Sequence, residues 1–298
     1  MIKVRNRGEH VVELVKNPKY RSVAVEKFMS AVFFTSALTS VLAVALICIF
    51  LFANGIPAIG KIGSANFLLG IEWSPSDIPA SFGILPMILG SLYITAGAII
   101  IGVPIGILTS VFLAKCCPHK LYKLIKPGIE LLAGIPSVVY GFFGMAVIIP
   151  LTGNSILSAS ILLGIMILPT IIGIAESALR AVPEQYYEGA LALGAGHYRS
   201  VFRVVLPAAK SGILAAVVLG IGRAIGETMA VVMVAGNQAR MPKSLFKGVR
   251  TLTANIVIEM GYAAELHREA LIATGVVLFV FILLINLSVF AIKRRSTR

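Results

Sequence analysis

Charge is scarce in this sequence. Charged residues make up 13% of 298 residues, with 13 acids against 26 Lys and Arg, while hydrophobic residues reach 58%. A soluble domain averages about 25% charged and 45–50% apolar residues, so the balance excludes an ordinary soluble core and points to a membrane protein. Cysteine is nearly absent. Cys48 lies in an apolar run, and Cys116 and Cys117 are adjacent, which excludes a disulfide framework. With His119 they place three ligand types within four residues, without the spacing of a zinc site. No basic stripe interleaved with aromatics lies outside the apolar runs, so the formal charge of +13 is not a nucleic-acid footprint. HExxH, GxSxG and paired His or carboxylates on one run are also missing, which argues against an intramembrane enzyme.

One apparent nucleotide motif fails on inspection. Gly55-Ile56-Pro57-Ala58-Ile59-Gly60-Lys61 fits the first seven positions of a Walker A loop, but Ile62 stands where Ser or Thr must hold magnesium. Pro57 removes a backbone donor, and no buried strand precedes the run. The chain is expected to bind no ATP, magnesium or other cofactor itself.

Long apolar runs are plentiful. They cover 29–53, 84–114, 128–151, 156–179, 212–235 and 271–292, each at least the roughly 20 residues that a helix needs to cross the hydrocarbon core. The expected fold is all-α, a polytopic membrane protein with six transmembrane helices. The polar, basic tail 1–28 has no signal-peptide h-region, and the first run is too long for a cleaved signal, so it reads as a retained span. With the N-terminus inside, 19 of the 26 Lys and Arg fall in cytoplasmic segments and six in outside loops, a positive-inside bias. This predicts a multi-pass cell-membrane protein with both tails, 1–28 and 293–298, in the cytoplasm.

Between the fourth and fifth runs lies a polar, Gly-punctuated stretch, 183–207, on the same cytoplasmic side. Pro183 can open a short helix and Gly194 can close it in the left-handed conformation. A second short helix is expected from His197 towards Val205, stopped or kinked by Pro207. Two short helices tethered at both ends make either a knob that docks in another protein's groove or a pair lying on the lipid surface.

Inside the runs, Pro104, Gly134, Pro136 and Pro169 interrupt the pattern. Such breaks serve packing and curvature, or they open a helix whose freed amides meet an anion. Ser137 and Tyr140 share a face beside Pro136 and are candidates for lining a pathway. In the fifth run twelve apolar residues favour insertion by about 5 kcal/mol, while Arg223 and Glu227 oppose it by about 2.5–3.5 kcal/mol each. Both charges must face the bundle interior or a watery path. Four residues apart, they can pair, and Gly222 and Gly226 form a strip that lets another helix approach. Either the pair fixes helix register, or Arg223 meets an anion in transit while Glu227 holds the Arg. A planar guanidinium suits an oxyanion because it stays charged and donates bidentate bonds.

The outside loop after the fifth run carries Arg240, Lys243, Lys247 and Arg250, followed by a semi-apolar stretch 251–261 of re-entrant or interfacial character. These cations either concentrate an anion or dock an acidic rim, or they form a solvated loop.

Two motifs carry a family resemblance. Glu188, Gly189, Ala190, Gly194, Leu206 and Pro207 fall at the spacing of the "EAA" loop of ABC importer permeases; Gly189 replaces an Ala and Val204 an Ile. The run 220–231, with Arg223, Glu227, Thr228 and the following Met229-Ala230-Val231, resembles the fifth span of phosphate ABC importer permeases, PstC-type more than PstA-type. Leu132 to Gly141 and Phe82 to Pro86 resemble other runs of that family. The likeness covers Trp73 to Gly261; the N-terminal tail and the last span match in character only. It implies a subunit without catalysis of its own, whose loop 183–207 is gripped by ATPases and whose Arg223 and Glu227 serve phosphate translocation. The implied partners are a PstA-like second permease, two PstB-like ATPases that use ATP and magnesium, a PstS-like phosphate-binding protein and membrane lipid. A permease for sulfate, molybdate or another solute, or the PstA-type subunit itself, is the alternative.

Overall fold

The protein is described by a computed structural model over residues 20–296. It is helical, apart from a two-stranded antiparallel ribbon, β1 (Trp73–Ser74) and β2 (Ser81–Phe82). In order the helices are α1 (Tyr20–Ile62), α2 (Ser64–Leu69), α3 (Leu85–Val111), α4 (His119–Gly134), α5 (Ser137–Phe143), α6 (Ile149–Thr152) and α7 (Ile156–Arg180). They continue with α8 (Glu184–Ala192), α9 (His197–Ser200), α10 (Leu206–Ala208), α11 (Lys210–Gly226), α12 (Met229–Val234), α13 (Leu252–Glu259) and α14 (Glu265–Ser296). The tail 1–19 lies outside the described residues.

The chain divides into two compact units at Ala53 and Asn54. In the first, the side chains from Val25 to Ala53 are exposed or half-buried along α1, the pattern of a helix whose apolar surface needs lipid. The Walker-like stretch 55–61 is helical, so its backbone donors are spent in the helix ladder rather than offered to a phosphate.

The second unit is built on α3 against α7. Gly97 faces Ser160 so closely that an added Cβ would collide with the hydroxyl, and the Ser160 hydroxyl donates to the Ile94 carbonyl at 3.2 Å. Small residues let two backbones approach, which is how helices gain packing where the solvent is as apolar as they are. Three apolar clusters succeed one another along α3. Met87 joins Phe67, Trp73 and Leu252 at one end, Ile94 and Ala98 join Ile167 and Tyr140 in the middle, and Val111 joins Leu179 and Val205 at the other end.

Among the described residues four helices are long and apolar enough to cross a membrane, or six if two bent pairs are each one span. The expected runs 84–114 and 156–179 match α3 and α7, and 271–292 lies inside α14. The runs 128–151 and 212–235 are not continuous helices. The first breaks between α4 and α5 at Ile135 and Pro136, where the halves of the pair turn by 100°. The second breaks at Glu227 and Thr228 between α11 and α12.

Two prolines shape the helices in one way. Pro150 and Pro207 each follow, two residues on, the end of a π-helical turn, at Gly144–Ile148 and Val201–Val205. A proline ring collides with the carbonyl four residues back and offers it no N–H. That carbonyl, of Ala146 or Arg203, sits at the centre of each wide turn, where the ladder is already relaxed. Pro207 therefore does not stop the second loop helix before the apolar run. The chain bends at Ala209 instead, by 71°.

Candidate functional site

The polar residues of the fifth run lie at the α11–α12 break. Arg223 is exposed in the last turn of α11, and its Nη1 donates to the Thr170 hydroxyl of α7 at 3.3 Å. Glu227 does not pair with it. The helix ends at Gly226, Glu227 turns extended with ψ 133°, and the four-residue geometry that would align the two charges is lost. The Glu227 carboxylate instead accepts from the backbone N–H groups of Thr228 at 3.1 Å and Ala230 at 3.3 Å. It thus satisfies amides that the start of α12 leaves without helical partners. The Thr228 hydroxyl donates to the Gly226 carbonyl at 3.2 Å, and Thr253 from α13 donates to the Glu227 carbonyl at 3.1 Å. A broken helix survives at membrane depth only when such partners take up its freed groups.

The second break faces the same core. Tyr140 is buried, and its hydroxyl donates to the Leu132 carbonyl at 2.9 Å, bridging from α5 back to the frayed end of α4. Ser137 is half-buried in the first turn of α5. Tyr140 and Ala224, the chain neighbour of Arg223, share one apolar cluster. The structure therefore gathers Arg223, Thr170 and Tyr140 around two helix breaks, and it turns Glu227 away. Gly222 and Gly226 have no atom within 4 Å of an added Cβ, so this strip is open in the chain. Thr170 and Thr253 were not foreseen; the signal for Thr170 was a hydroxyl directly after Pro169 in the middle of an apolar run.

The 183–207 stretch folds into short helices tethered at both ends, as expected. Pro183 caps α8 from just outside its first turn. Gly194 closes it at φ 84°, with its N–H on the Leu191 carbonyl at 2.8 Å and the Ala195 N–H on the Ala190 carbonyl at 3.1 Å. This is a Schellman end, and an L side chain there is strained. The knob is seated on the adjacent end of the bundle. Lys115 pairs with Glu184 at 2.7 Å, the Tyr187 hydroxyl meets His197 Nδ1 at 2.6 Å, and the Cys116 thiol faces His197 Nε2 at 3.5 Å. Cys116 thus meets His197 rather than His119. Val201 and Val205 are buried beneath. Above, Glu188, Gly189 and Pro207 are exposed, Ala190 and Leu206 half-buried, and Leu193 is 91% exposed with Tyr186, Tyr198 and Phe202 also bare.

A buried acid that the sequence reading passed over holds this end together. Glu176 of α7 is 2% exposed. It accepts from Tyr122 at 2.9 Å and Lys126 at 2.8 Å, both on α4, and from Arg180 Nε at 2.8 Å. Arg180 also donates to the Leu113 carbonyl at 2.8 Å and stacks over the Tyr122 ring at 4.7 Å. The signal was an acid inside an apolar run, four residues before an Arg.

Known proteins match this architecture. Residues 102–298 match the family model of binding-protein-dependent transport system inner membrane components. The "Probable ABC transporter permease protein YqgH" of Bacillus subtilis is 39% identical, over 84% of this chain and 86% of that protein. The "Phosphate transport system permease protein PstC" of Mesorhizobium japonicum is 36% identical over 80% and 81%, and that of Haemophilus influenzae 33% over 90% and 93%. Among solved structures, a chain of the MetNI methionine ABC transporter superposes with a TM-score of 0.61 at 22% identity, covering 72% of this chain and 96% of that one. A chain of a bacterial alginate ABC transporter, in complex with its periplasmic protein, superposes with a TM-score of 0.65 at 15% identity, covering 95% and 99%. With the matched model spanning most of the chain and relatives above 30% identity along its length, this multi-pass membrane protein belongs to the binding-protein-dependent transport system inner membrane components.

Proposed function

We propose that the chain is the permease subunit of an ATP-driven importer that carries inorganic phosphate into the cell. One observation supports the anion: Arg223 has no carboxylate counterion among the described residues, because Glu227 is spent on capping α12. An intramembrane cation without a partner charge is costly, and an oxyanion passing the break supplies that charge with bidentate hydrogen bonds. The phosphate specificity follows the names of the PstC relatives. In this reading both bent pairs are spans, which makes six, and the termini and the 183–207 knob lie in the cytoplasm, in line with the positive-inside bias.

In this reading the subunit performs no catalysis and holds no cofactor. A second permease packs on the open Gly222 and Gly226 strip, two ATPases grip the knobs and use ATP and magnesium, and an extracytoplasmic phosphate-binding protein delivers substrate. Thr170 orients the Arg223 guanidinium, and Ser137 and Thr228 offer hydroxyls along the path.

The test is phosphate uptake into membrane vesicles holding the assembled complex, with Arg223→Gln against the native chain. The variant is expected to assemble and hydrolyse ATP, yet to lose at least about 99% of uptake, the cost of about 2.7 kcal/mol for one charged contact. Native uptake by the variant would refute the anion path. Competition by sulfate or molybdate, equal to that by phosphate, would refute the specificity.

A further inference from the structure

Helix α4 buries none of its 16 side chains, and its sequence sorts them into three stripes. At about 100° per residue, Tyr122, Ile125, Lys126 and Ile129 share one side, and all are half-buried. This side is tied to α7, where Glu176 accepts from Tyr122 at 2.9 Å and from Lys126 at 2.8 Å. Leu121, Leu124, Leu131 and Leu132 fall within about 100° of arc on a second side. Leu124 is 75% and Leu131 73% exposed. Lys120 and Lys123 lie on the third side, exposed, near Glu130. Glu130 is taken by Lys126 at 3.6 Å, and neither Lys120 nor Lys123 has an ion pair among the described residues. Bare leucines beside unpaired cations are the composition of a basic amphipathic helix.

The helix also runs across the bundle instead of along it. It turns by 100° from the half of the bent pair that follows, 137–152. Both of its ends are fixed in depth. The Thr152 and Ser158 hydroxyls, 2.7 Å apart, join the far end of that second half to the start of α7. A rise of about 1.5 Å per residue covers about 22 Å from Thr152 back to Ser137, and about 30 Å from Ile156 to Glu176. The break holds one end of α4 at the first depth, and Glu176 holds the other at the second. A helix about 24 Å long thus stays within about 8 Å of depth, near the end of the bundle where Lys115 meets Glu184 of the knob. That level lies about one hydrocarbon thickness, roughly 30 Å, from the opposite end of α7. There the acyl region gives way to headgroups.

We infer that α4 lies in the headgroup layer on the knob's side of the membrane and binds anionic phospholipids there. Lys120 and Lys123 pair with the lipid phosphates, and the leucine stripe enters the acyl region beneath them. Charge complementarity sets the sign of the lipid, because two cations without a carboxylate favour an anionic surface. The order of the stripes favours a bilayer over a protein groove. One flat boundary between polar and apolar layers satisfies cations and leucines at once, with the lysine stems reaching outward to the phosphates. The third stripe is already spent on Glu176, which fixes how the helix is rolled about its axis and so keeps the leucines turned away from the bundle. The site does not depend on which solute the protein carries.

The experiment uses the full chain in its assembled membrane complex, in nanodiscs of phosphatidylcholine with increasing phosphatidylglycerol. Trp73 is the single tryptophan, so Leu124→Trp adds one reporter on the bare stripe. After the native signal is subtracted, its emission is expected to be quenched by lipids brominated on their acyl chains. A reporter that these lipids leave unquenched overturns the proposal, whether water or a second permease covers the stripe. Brominated phosphatidylglycerol is expected to reach half-quenching at a lower mole fraction than brominated phosphatidylcholine. Adding K120Q/K123Q should reduce that preference at least about tenfold, whereas K120R/K123R keeps it, which separates charge from misfolding. An unchanged preference in the glutamine variant overturns the lipid site. So does loss of the preference on adding inorganic phosphate at constant ionic strength, which would make the lysine pair a small-anion site.

Discussion

Glu176 shows how single residues are held in this protein. A carboxylate buried among apolar helices is tolerated because Tyr122, Lys126 and Arg180 all donate to it. Removing it leaves two cations facing a vacated acceptor, which costs about 3–5 kcal/mol in a fully buried pair. Arg180 is half exposed, so solvent screens part of that loss. Glu176→Ala is expected to destabilise the solubilised protein by about 3 kcal/mol, seen as a lower melting temperature and faster proteolysis between α4 and the knob. An unchanged melting temperature would show that the cations find water at no cost. Glu259 has the same design at the other end of the second unit, with Trp73, His267 and Arg250 around it.

At the scale of elements, two of the apolar runs are helices that stop short. The carbonyl freed at the α11–α12 break, that of Glu227, is taken up by the Thr253 hydroxyl at 3.1 Å. Thr253→Val keeps the shape and leaves that carbonyl unpaired, a loss of about 1 kcal/mol. Uptake is expected to fall several-fold through kcat, with assembly intact and Thr253→Ser restoring the native rate. If valine and serine behave alike, the hydroxyl does not position the break. The α3–α7 contact is less forgiving. Gly97→Leu would drive a side chain into Ser160, and overpacking of this kind costs about 1–3 kcal/mol or more. The variant is expected to fail to accumulate in membranes, whereas Gly222→Leu, on the open strip, should accumulate as a monomer and lose its pairing with the second permease.

At the scale of the molecule, the bare knob is the clearest sign of a larger assembly. Leu193 is 91% exposed beside Tyr186, Tyr198 and Phe202, on helices seated firmly by Lys115, Tyr187 and His197. Leu193 is bare, so Leu193→Glu should leave the unfolding free energy within about 0.5 kcal/mol of native. Co-purification with the ATPase subunits should be lost. Retained ATPase binding, with reduced affinity for lipid vesicles instead, would favour helices lying on the membrane surface.

The sequence by itself determined the apolar runs, the sidedness signal of Lys and Arg, and the knob. Each rests on local chemistry: hydropathy over about twenty residues, loop charge, and a glycine at Gly194 where the backbone turns left-handed. It also singled out Arg223, because a cation in an apolar run is costly wherever the helix goes. Only the tertiary structure decided that Glu227 caps α12 instead of pairing with Arg223, that half-buried Arg250 pairs with Glu259, and that Glu176 ties α4 to α7. Tyr122 and Lys126 lie 54 and 50 residues from Glu176, and although Glu227 reaches amides one and three residues on, the turn that lets it do so is bonded by Thr253, 26 residues away. Helical periodicity reports neighbours three and four residues away, and where a helix breaks, the partner of each freed group is set by what the fold brings beside it.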